Sequence, residues 1–195
     1  MDAVQSIERL HRMGTGMGAR TKDVSHAAKQ TFALLEASRA SFLIAGGLAV
    51  VHHGYPRFTD DIDVLIDAEG AMRAEQQAPQ FGFEVVGDAR LRHRRTDVRV
   101  DFLVAGRPMP RHQAAYPSPS TSHASTEDKR YLGFAPLIEL KLLAGRRQDE
   151  ADIMALLKQR DDGQYTELEA AIDPSLRRRL LELRRDALEE LAYER

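Results

Sequence analysis

The order of apolar and polar positions along the chain predicts alternating helices and short strands. Period-two alternation and short apolar runs favour strands, whereas apolar residues three and four positions apart favour helices. The expected strands cover residues 41–45, 61–67, 83–86, 91–95 and 98–104. The expected helices cover residues 25–40, 48–53, 68–80, 135–145, 149–159 and 165–193, the last broken near Asp173 and Pro174. This order predicts an α/β (α+β) protein with a mixed β-sheet flanked by helices.

The same pattern divides the chain into three parts. Residues 1–24 are polar and contain several glycines, which predicts a flexible N-terminal segment, and Ser25 is the expected cap of the first helix. Residues 25–133 form the expected sheet-containing core, and residues 134–195 a C-terminal helical region. The core includes a long loop at residues 105–127, a candidate for shaping a substrate site because long loops in compact domains often carry function.

Composition and charge narrow the possible functions. The 195 residues are 43% hydrophobic and 30% charged, an ordinary globular mixture. The net charge of −2 provides no attraction of the whole molecule to nucleic acid. The absence of cysteine excludes disulfides, thiolate metal sites and cysteine nucleophiles. With no long apolar run and no signal-peptide pattern, we expect a soluble, cytoplasmic protein without a membrane partner.

Three aspartates form the strongest candidate for chemistry. On a strand, Asp61 and Asp63 share one face while Ile62 and Val64 occupy the other. Asp101 lies on a later strand among apolar residues. Ionised carboxylates beside a core are costly unless they are paired or bind a metal, and hard oxygen ligands favour Mg²⁺ or Mn²⁺.

A glycine turn precedes these acids. Gly46 and Gly47 end the first expected strand and open a short helix, where glycine lets the backbone approach a ligand closely. Phosphate at the turn and metal at the aspartates predict phosphoryl or nucleotidyl transfer.

The segment AGGLAVVHHGYPRFTDDIDVLI resembles the signature of the polymerase-beta-like nucleotidyltransferase superfamily, a glycine turn followed by Asp-x-Asp on a strand. The form from Arg57 to Asp63 is similar to minimal bacterial nucleotidyltransferases, which include the AbiEii and MenT group of toxin–antitoxin proteins. The later VDFLV resembles the strand with the third carboxylate, and LIELKLLAGRRQDEADIMALL the C-terminal helix with a lysine and acids. The likeness covers roughly residues 40–160 and implies a nucleotidyltransferase core.

The resemblance implies a role for each matching residue. Asp61 and Asp63 would bind both of two Mg²⁺ or Mn²⁺ ions, and Asp101 would bind the catalytic ion and help to deprotonate the acceptor hydroxyl. Gly46 and Gly47 would contact the triphosphate.

Three further residues complete the expected site. Lys141 would face the phosphates or the base, although an exposed helix lysine is an equal alternative. Arg57 and Thr59 would border the pocket. One departure from the pattern is Asp60, which precedes Asp61, so that a shift of strand register would exchange the acids that face the site.

The implied reaction transfers a nucleoside monophosphate, AMP for example, from a nucleoside triphosphate to a hydroxyl, releasing pyrophosphate. The acceptor would be RNA or protein, as for a toxin of a toxin–antitoxin pair, with an antitoxin or another protein as partner. One alternative is an adenylyltransferase acting on a small molecule such as an antibiotic. Another is a non-catalytic module of the same fold that binds nucleotides or a protein partner.

Several charged residues have a simpler interpretation. We expect Asp149 and Asp152 to pair with Arg146 or Arg147 rather than to bind metal. The arginine-rich residues 90–99 are either a solvated hairpin or a basic face beside the acids that suits a triphosphate or RNA.

Overall fold

A single mixed sheet organises the protein. The structure, a computed structural model, describes residues 18–110, 112 and 114–193, with side chains from residue 23 onward. The strands are β1 (Phe42–Ile44), β2 (Asp61–Ile66), β3 (Phe83–Gly87), β4 (Arg90–His93) and β5 (Arg99–Val104), in the order β1-β2-β5-β4-β3. β2 and β5 are parallel and the other neighbours antiparallel, so β3, β4 and β5 form a meander. All five lie where the sequence predicts strands.

Seven α-helices accompany the sheet in the described part of the chain. They are α1 (Gly18–Ala37), α2 (Gly46–His52), α3 (Ala68–Gln77), α4 (Phe134–Ala144), α5 (Arg147–Leu157), α6 (Asp162–Ala171) and α7 (Arg177–Tyr193). Gly145 ends α4 in the left-handed conformation that glycine adopts without strain, with φ at 58°. Asp173 caps a 3₁₀ turn at Pro174 that separates α6 from α7, which accounts for the predicted break. The predicted mixed α/β class is confirmed.

The first helix begins earlier than predicted. Residues 18–24, assigned from the sequence to a flexible segment, belong to α1, so Ser25 lies inside the helix and is not its cap. Val24 is 4% exposed and adds an apolar contact to the core. Residues 1–17, the rest of the predicted segment, lie outside the described residues.

Strand alternation separates the core from the candidate site. In β2, Ile62, Val64 and Ile66 are fully buried, and helices α1 and α3 contribute to the same apolar cluster. Asp61 and Asp63 alternate with these residues and are only partly buried, as the period-two pattern predicts. The acids therefore lie on the face of the sheet that α1 and α3 do not cover.

The C-terminal helices pack as a series beside this sheet. Helix α4 contacts α2 and α5, and α5 contacts α7. Leu137 and Ile138 of α4 and Ile153 and Leu156 of α5 are almost completely buried in the same apolar cluster. No helix within the described residues is long and apolar enough to cross a bilayer.

The expected loop has a defined path. Its first part turns back on itself, because Tyr116 N donates to Arg107 O and Gly106 N donates to Tyr116 O, both at 2.9 Å. Farther on, the segment that leads into α4 pairs with β1, where Leu132 N donates to Ile44 O at 2.9 Å. These backbone bonds bring the loop to the end of β1, beside the candidate site.

Candidate active site

The strand register places the three predicted carboxylates on one face of the sheet. Asp63 lies directly opposite Asp101 in the parallel pair of β2 and β5, and Asp61 lies opposite Arg99. Directly paired residues of neighbouring strands project from the same face. Asp60 precedes β2 and is exposed, so the strand phase selects Asp61 and Asp63.

Gly46 fits against one of these carboxylates. A Cβ atom at Gly46 would lie 1.7 Å from Oδ2 of Asp63, and the residue has a φ of +56°. Ala45 N donates to Asp63 O at 2.9 Å, which fixes the turn against β2. The close approach and the left-handed backbone both require glycine here, so the glycine turn and the acid share one site.

Gly47 makes a similar approach to the two residues expected to border the pocket. Its Cβ would lie 2.5 Å from Oγ1 of Thr59 and 2.9 Å from an Nη atom of Arg57. Thr59 is buried, and its hydroxyl donates to Oδ1 of Asp61 at 3.1 Å. Thr59 thus orients the carboxylate of Asp61, while Arg57 packs against Gly47 of the glycine turn.

The electrostatics of Asp63 reflect this crowding. Burial raises its pKa from 3.8 to about 7, and repulsion from the carboxylates of Asp61 and Asp101 adds to the effect. Arg146 and Lys141 act in the opposite direction. Asp63 is therefore a carboxylate whose ionised form lacks compensation from its own surroundings.

Arginines contact the other two acids. Asp101 accepts a hydrogen bond from Nε of Arg90, and an Nη atom of Arg99 lies 3.9 Å from Oδ2 of Asp61. Among the described residues, no three histidine, aspartate or glutamate side chains form a ready-made cluster for a metal ion. The three aspartates are thus neighbours on one face, with Asp101 engaged by an arginine.

The arginine-rich residues 90–99 carry paired charges on this face. Besides the contacts of Arg90 and Arg99, Arg92 lies 2.5 Å from Oε1 of Glu84 and 3.5 Å from Oδ1 of Asp97. Arg92 lies directly opposite Arg99 in the register, but each of the three arginines also has a carboxylate within 4 Å. Arg90, Arg92 and Arg99 therefore do not form the uniformly basic face that was one expectation from the sequence.

Lys141 lies in a buried ionic network. Its Nζ donates to Oδ1 of Asp149 at 3.0 Å and to Oδ2 of Asp152 at 2.7 Å, and both aspartates are almost completely buried. Arg146 donates to Asp149, as expected. Arg57 Nε lies 2.8 Å from Oδ1 of Asp152, a pairing that the sequence did not suggest. Lys141 is therefore buried rather than an exposed helix lysine.

A cavity of about 260 Å³ lies beside part of the predicted site. Gly46, Asp63 and Lys141 line it, whereas the other predicted site residues do not, and most of the remaining lining is apolar. The residues that contribute apolar surface are Leu103, Met109, Pro110, Tyr116, Leu137 and Leu140. Such a combination of a few convergent polar groups with apolar surface is typical of a small-molecule site, here at the small end of the usual range.

Sequence reasoning missed two residues of this cavity. Tyr116 lines it from the loop, and burial, followed by repulsion from Asp63, raises the pKa of its hydroxyl. Arg146 lines it from the start of α5, and its side chain is 64% exposed, so its guanidinium is accessible to a ligand. No local pattern marks Arg146 as a cavity residue, because its spacing from Asp149 predicts only an ion pair.

His52 and His53, the adjacent histidines of the short helix, belong to the packing. His52 stacks on Tyr131 with ring centroids 4.4 Å apart and contacts Oγ of Ser125 at 2.9 Å. His53 Nε2 donates to Leu132 O at 2.8 Å, and burial lowers its pKa to about 4.

Comparison with known proteins bears on the fold. No protein-family model matches the chain, and no curated protein matches it in sequence. The solution structure of the antibiotic-resistance factor ANT(2'')-Ia is similar, with a TM-score of 0.52 and 14% identity, over 90% of this chain and 100% of that chain. The protein therefore shares the mixed α/β fold of that structure. At this identity the likeness extends to the fold and not to the residues of the site.

Proposed function

We propose that the protein is a metal-dependent nucleotidyltransferase that moves a nucleoside monophosphate from a triphosphate to a hydroxyl acceptor. One observation carries the proposal: the Asp63 carboxylate fills the space left by the absent side chain of Gly46 and lies beside Asp101 in register. A glycine turn, paired acids and a neighbouring cavity are the parts that this transfer requires.

The donor set fits Mg²⁺ or Mn²⁺. Asp61, Asp63 and Asp101 supply carboxylate oxygens from one face, and a cation would compensate for the burial and the repulsion that raise the pKa of Asp63. To contribute, Asp101 would exchange its contact with Arg90 for the ion. A divalent ion held there would neutralise triphosphate charge and activate the acceptor hydroxyl.

The protein's own residues position the reactants. Gly46 and Gly47 offer backbone to the triphosphate, and Arg146 and Tyr116 border the cavity beside Asp63. The acceptor oxygen bonds to the α-phosphorus, the bond from that phosphorus to its bridging oxygen breaks, and pyrophosphate leaves. The proton of the acceptor hydroxyl passes to the carboxylate of Asp101. Lys141 acts through Asp149 and Asp152, which it holds in place.

The test is transfer of label from each of the four nucleoside triphosphates, marked at the α-phosphate. The protein is incubated with Mg²⁺ and, in separate reactions, total RNA, a protein extract or a panel of hydroxylated antibiotics. We expect labelled acceptor and released pyrophosphate with the wild type and neither with Asp63→Asn. Full transfer by Asp63→Asn would refute the proposal.

Asp60→Asn is the matched control. It removes an aspartate from the same segment, but Asp60 lines a different cavity together with Asp23 and Asp97. We expect this variant to retain transfer. Magnesium-dependent binding of triphosphate without any labelled product would instead identify a non-catalytic module of this fold.

The acceptor divides the proposal into two candidates. RNA or protein, as for a toxin, follows from the resemblance of the glycine turn and the acids. A small molecule is favoured by the contacts of Arg92 with Glu84 and Asp97, which remain when Asp61 and Asp101 bind the ion, since an arginine already paired with carboxylates attracts a polyanion weakly. Similarity in fold to an antibiotic-resistance factor agrees with this second candidate. The class of acceptor that becomes labelled decides between them.

A further inference from the structure

Helix α7 presents an apolar stripe that none of the described residues covers. Leu181 is 55% exposed and Leu188 is 44% exposed, whereas Leu180, Leu183 and Ala187 are buried against the protein. A spacing of seven residues places Leu181 and Leu188 on one line along the helix, as in the seam of a coiled coil. The helix thus has one apolar side in the core and a second facing solvent.

A row of charges follows this stripe. Arg178, Glu182, Arg185 and Glu189 lie on one side of the two leucines, at spacings of four, three and four residues, and their signs alternate. When two such rows run antiparallel, each arginine of one row lies opposite a glutamate of the other.

The geometry points to a second copy of this chain as the occupant. We propose that two copies pair antiparallel through α7 about a two-fold axis between residues 184 and 185. Leu181 of one copy then lies against Leu188 of the other. This two-fold operation keeps the charged rows on the same side, so that they face each other.

The charge register supports the antiparallel direction. With a rise of about 1.5 Å per residue, Arg178 and Glu189 of the second copy lie about 3 Å apart along the axis, and so do Arg185 and Glu182 of the second copy. A parallel pair, whose two-fold axis runs along the helices, would instead place the two charged rows on opposite sides of the seam, where they do not meet. Within one chain, Glu182 accepts a hydrogen bond from Arg179 at 2.9 Å and lies 3.5 Å from Arg178, and such surface pairs can exchange partners at little cost.

The affinity of this contact follows from its size. One pair of 17-residue helices buries less than a standard interface, so we expect a dissociation constant on the order of 1–100 μM. Sedimentation equilibrium of the full chain, up to about 500 μM, measures it directly. A protein that stays monomeric over this range would overturn the proposal and leave the stripe to a different partner.

Leucine variants test the seam. Leu188→Arg should weaken association at least about hundredfold, because it places a charge opposite Leu181. Met72→Arg is the matched control, since Met72 is also an exposed apolar residue, at 57%, but lies on α3. A dimer that survives Leu188→Arg, or that is lost equally in Met72→Arg, would contradict the assignment.

Charge reversal tests the pairing itself. Arg185→Glu sets like charges against each other at two symmetric places and should weaken association about tenfold. Adding Glu182→Arg to the same chain restores both ion pairs. The dissociation constant of the dimer should then return to the wild-type value. Failure of the double variant to recover affinity would exclude this register.

The absence of cysteine allows a test of direction. A mixture of Leu181→Cys and Leu188→Cys chains should form a disulfide between the two variants under mild oxidation. Neither variant alone should cross-link, because equivalent positions are about 10 Å apart along the axis, beyond disulfide reach. Cross-linking of one variant to itself would indicate a parallel pair and overturn the proposal.

Discussion

Replacing Asp63 by asparagine should stabilise the folded protein while removing the proposed activity. The pKa of Asp63 rises from 3.8 to about 7 on folding, because the carboxylate is buried between Asp61 and Asp101. A difference of about three pH units, at about 1.36 kcal/mol per unit, corresponds to about 4 kcal/mol. The ionised carboxylate therefore costs stability that an isosteric amide does not.

The direction of the effect with pH follows from proton binding. Below pH 4 the carboxyl group is protonated in both folded and unfolded chains, so Asp63 and asparagine behave alike. Between pH 4 and 7 the unfolded chain has released this proton while the folded chain still holds it, and the stability of the wild type falls as pH rises. Above pH 7 the loss is complete.

Urea unfolding of the wild type and Asp63→Asn at pH 4.5 and pH 8 in EDTA measures this difference. The quantity of interest is the free energy of unfolding of Asp63→Asn minus that of the wild type. We expect this difference to be larger at pH 8 than at pH 4.5 by on the order of 3 kcal/mol. Mg²⁺ should then stabilise the wild type at pH 8 and leave the variant nearly unchanged. An advantage that does not grow with pH would refute the electrostatic account of Asp63.

Three other substitutions examine the surroundings of the site. Gly46→Ala should lose all transfer activity and cost more stability than Gly106→Ala, which has a comparable positive φ but nothing within 4 Å of its Cβ, so unfolding midpoints compare the clash directly. Lys141→Met should lower the free energy of unfolding by about 3–5 kcal/mol in urea titrations, because Asp152 loses its buried lysine partner. His53→Gln should reduce the loss of stability between pH 6.5 and 4.5, since the pKa of His53 is lowered to about 4 and the unfolded chain takes up that proton first.

The strands and their faces could be predicted because they follow local rules. Alternation along β2 separates Asp61 and Asp63 from the core, and the same alternation orients Asp101 in β5. The glycine turn could be placed because a short apolar strand ended there. The structure of these elements is determined by a few neighbouring residues. The same elements contain the candidate catalytic residues.

Contacts between distant segments could not be predicted in the same way. The pairing of Arg57 with Asp152 joins residues 95 positions apart, and nothing local in either segment indicates it. Tyr116 reaches the cavity only because its loop folds back on Arg107. The start of α1 was placed too late because residues 18–24 contain only two apolar side chains larger than glycine, Ala19 and Val24, too few to show a helical period.

The bridge between Arg57 and Asp152 has a consequence for synthesis on the ribosome. Every strand is made before α4 and α5, yet these two helices supply one wall of the cavity and the carboxylate that holds Arg57 from behind. A nascent chain that has completed only its sheet therefore carries the acids without an enclosed pocket. The proposed transfer activity begins only after α4 and α5 have been synthesised and have docked against the sheet.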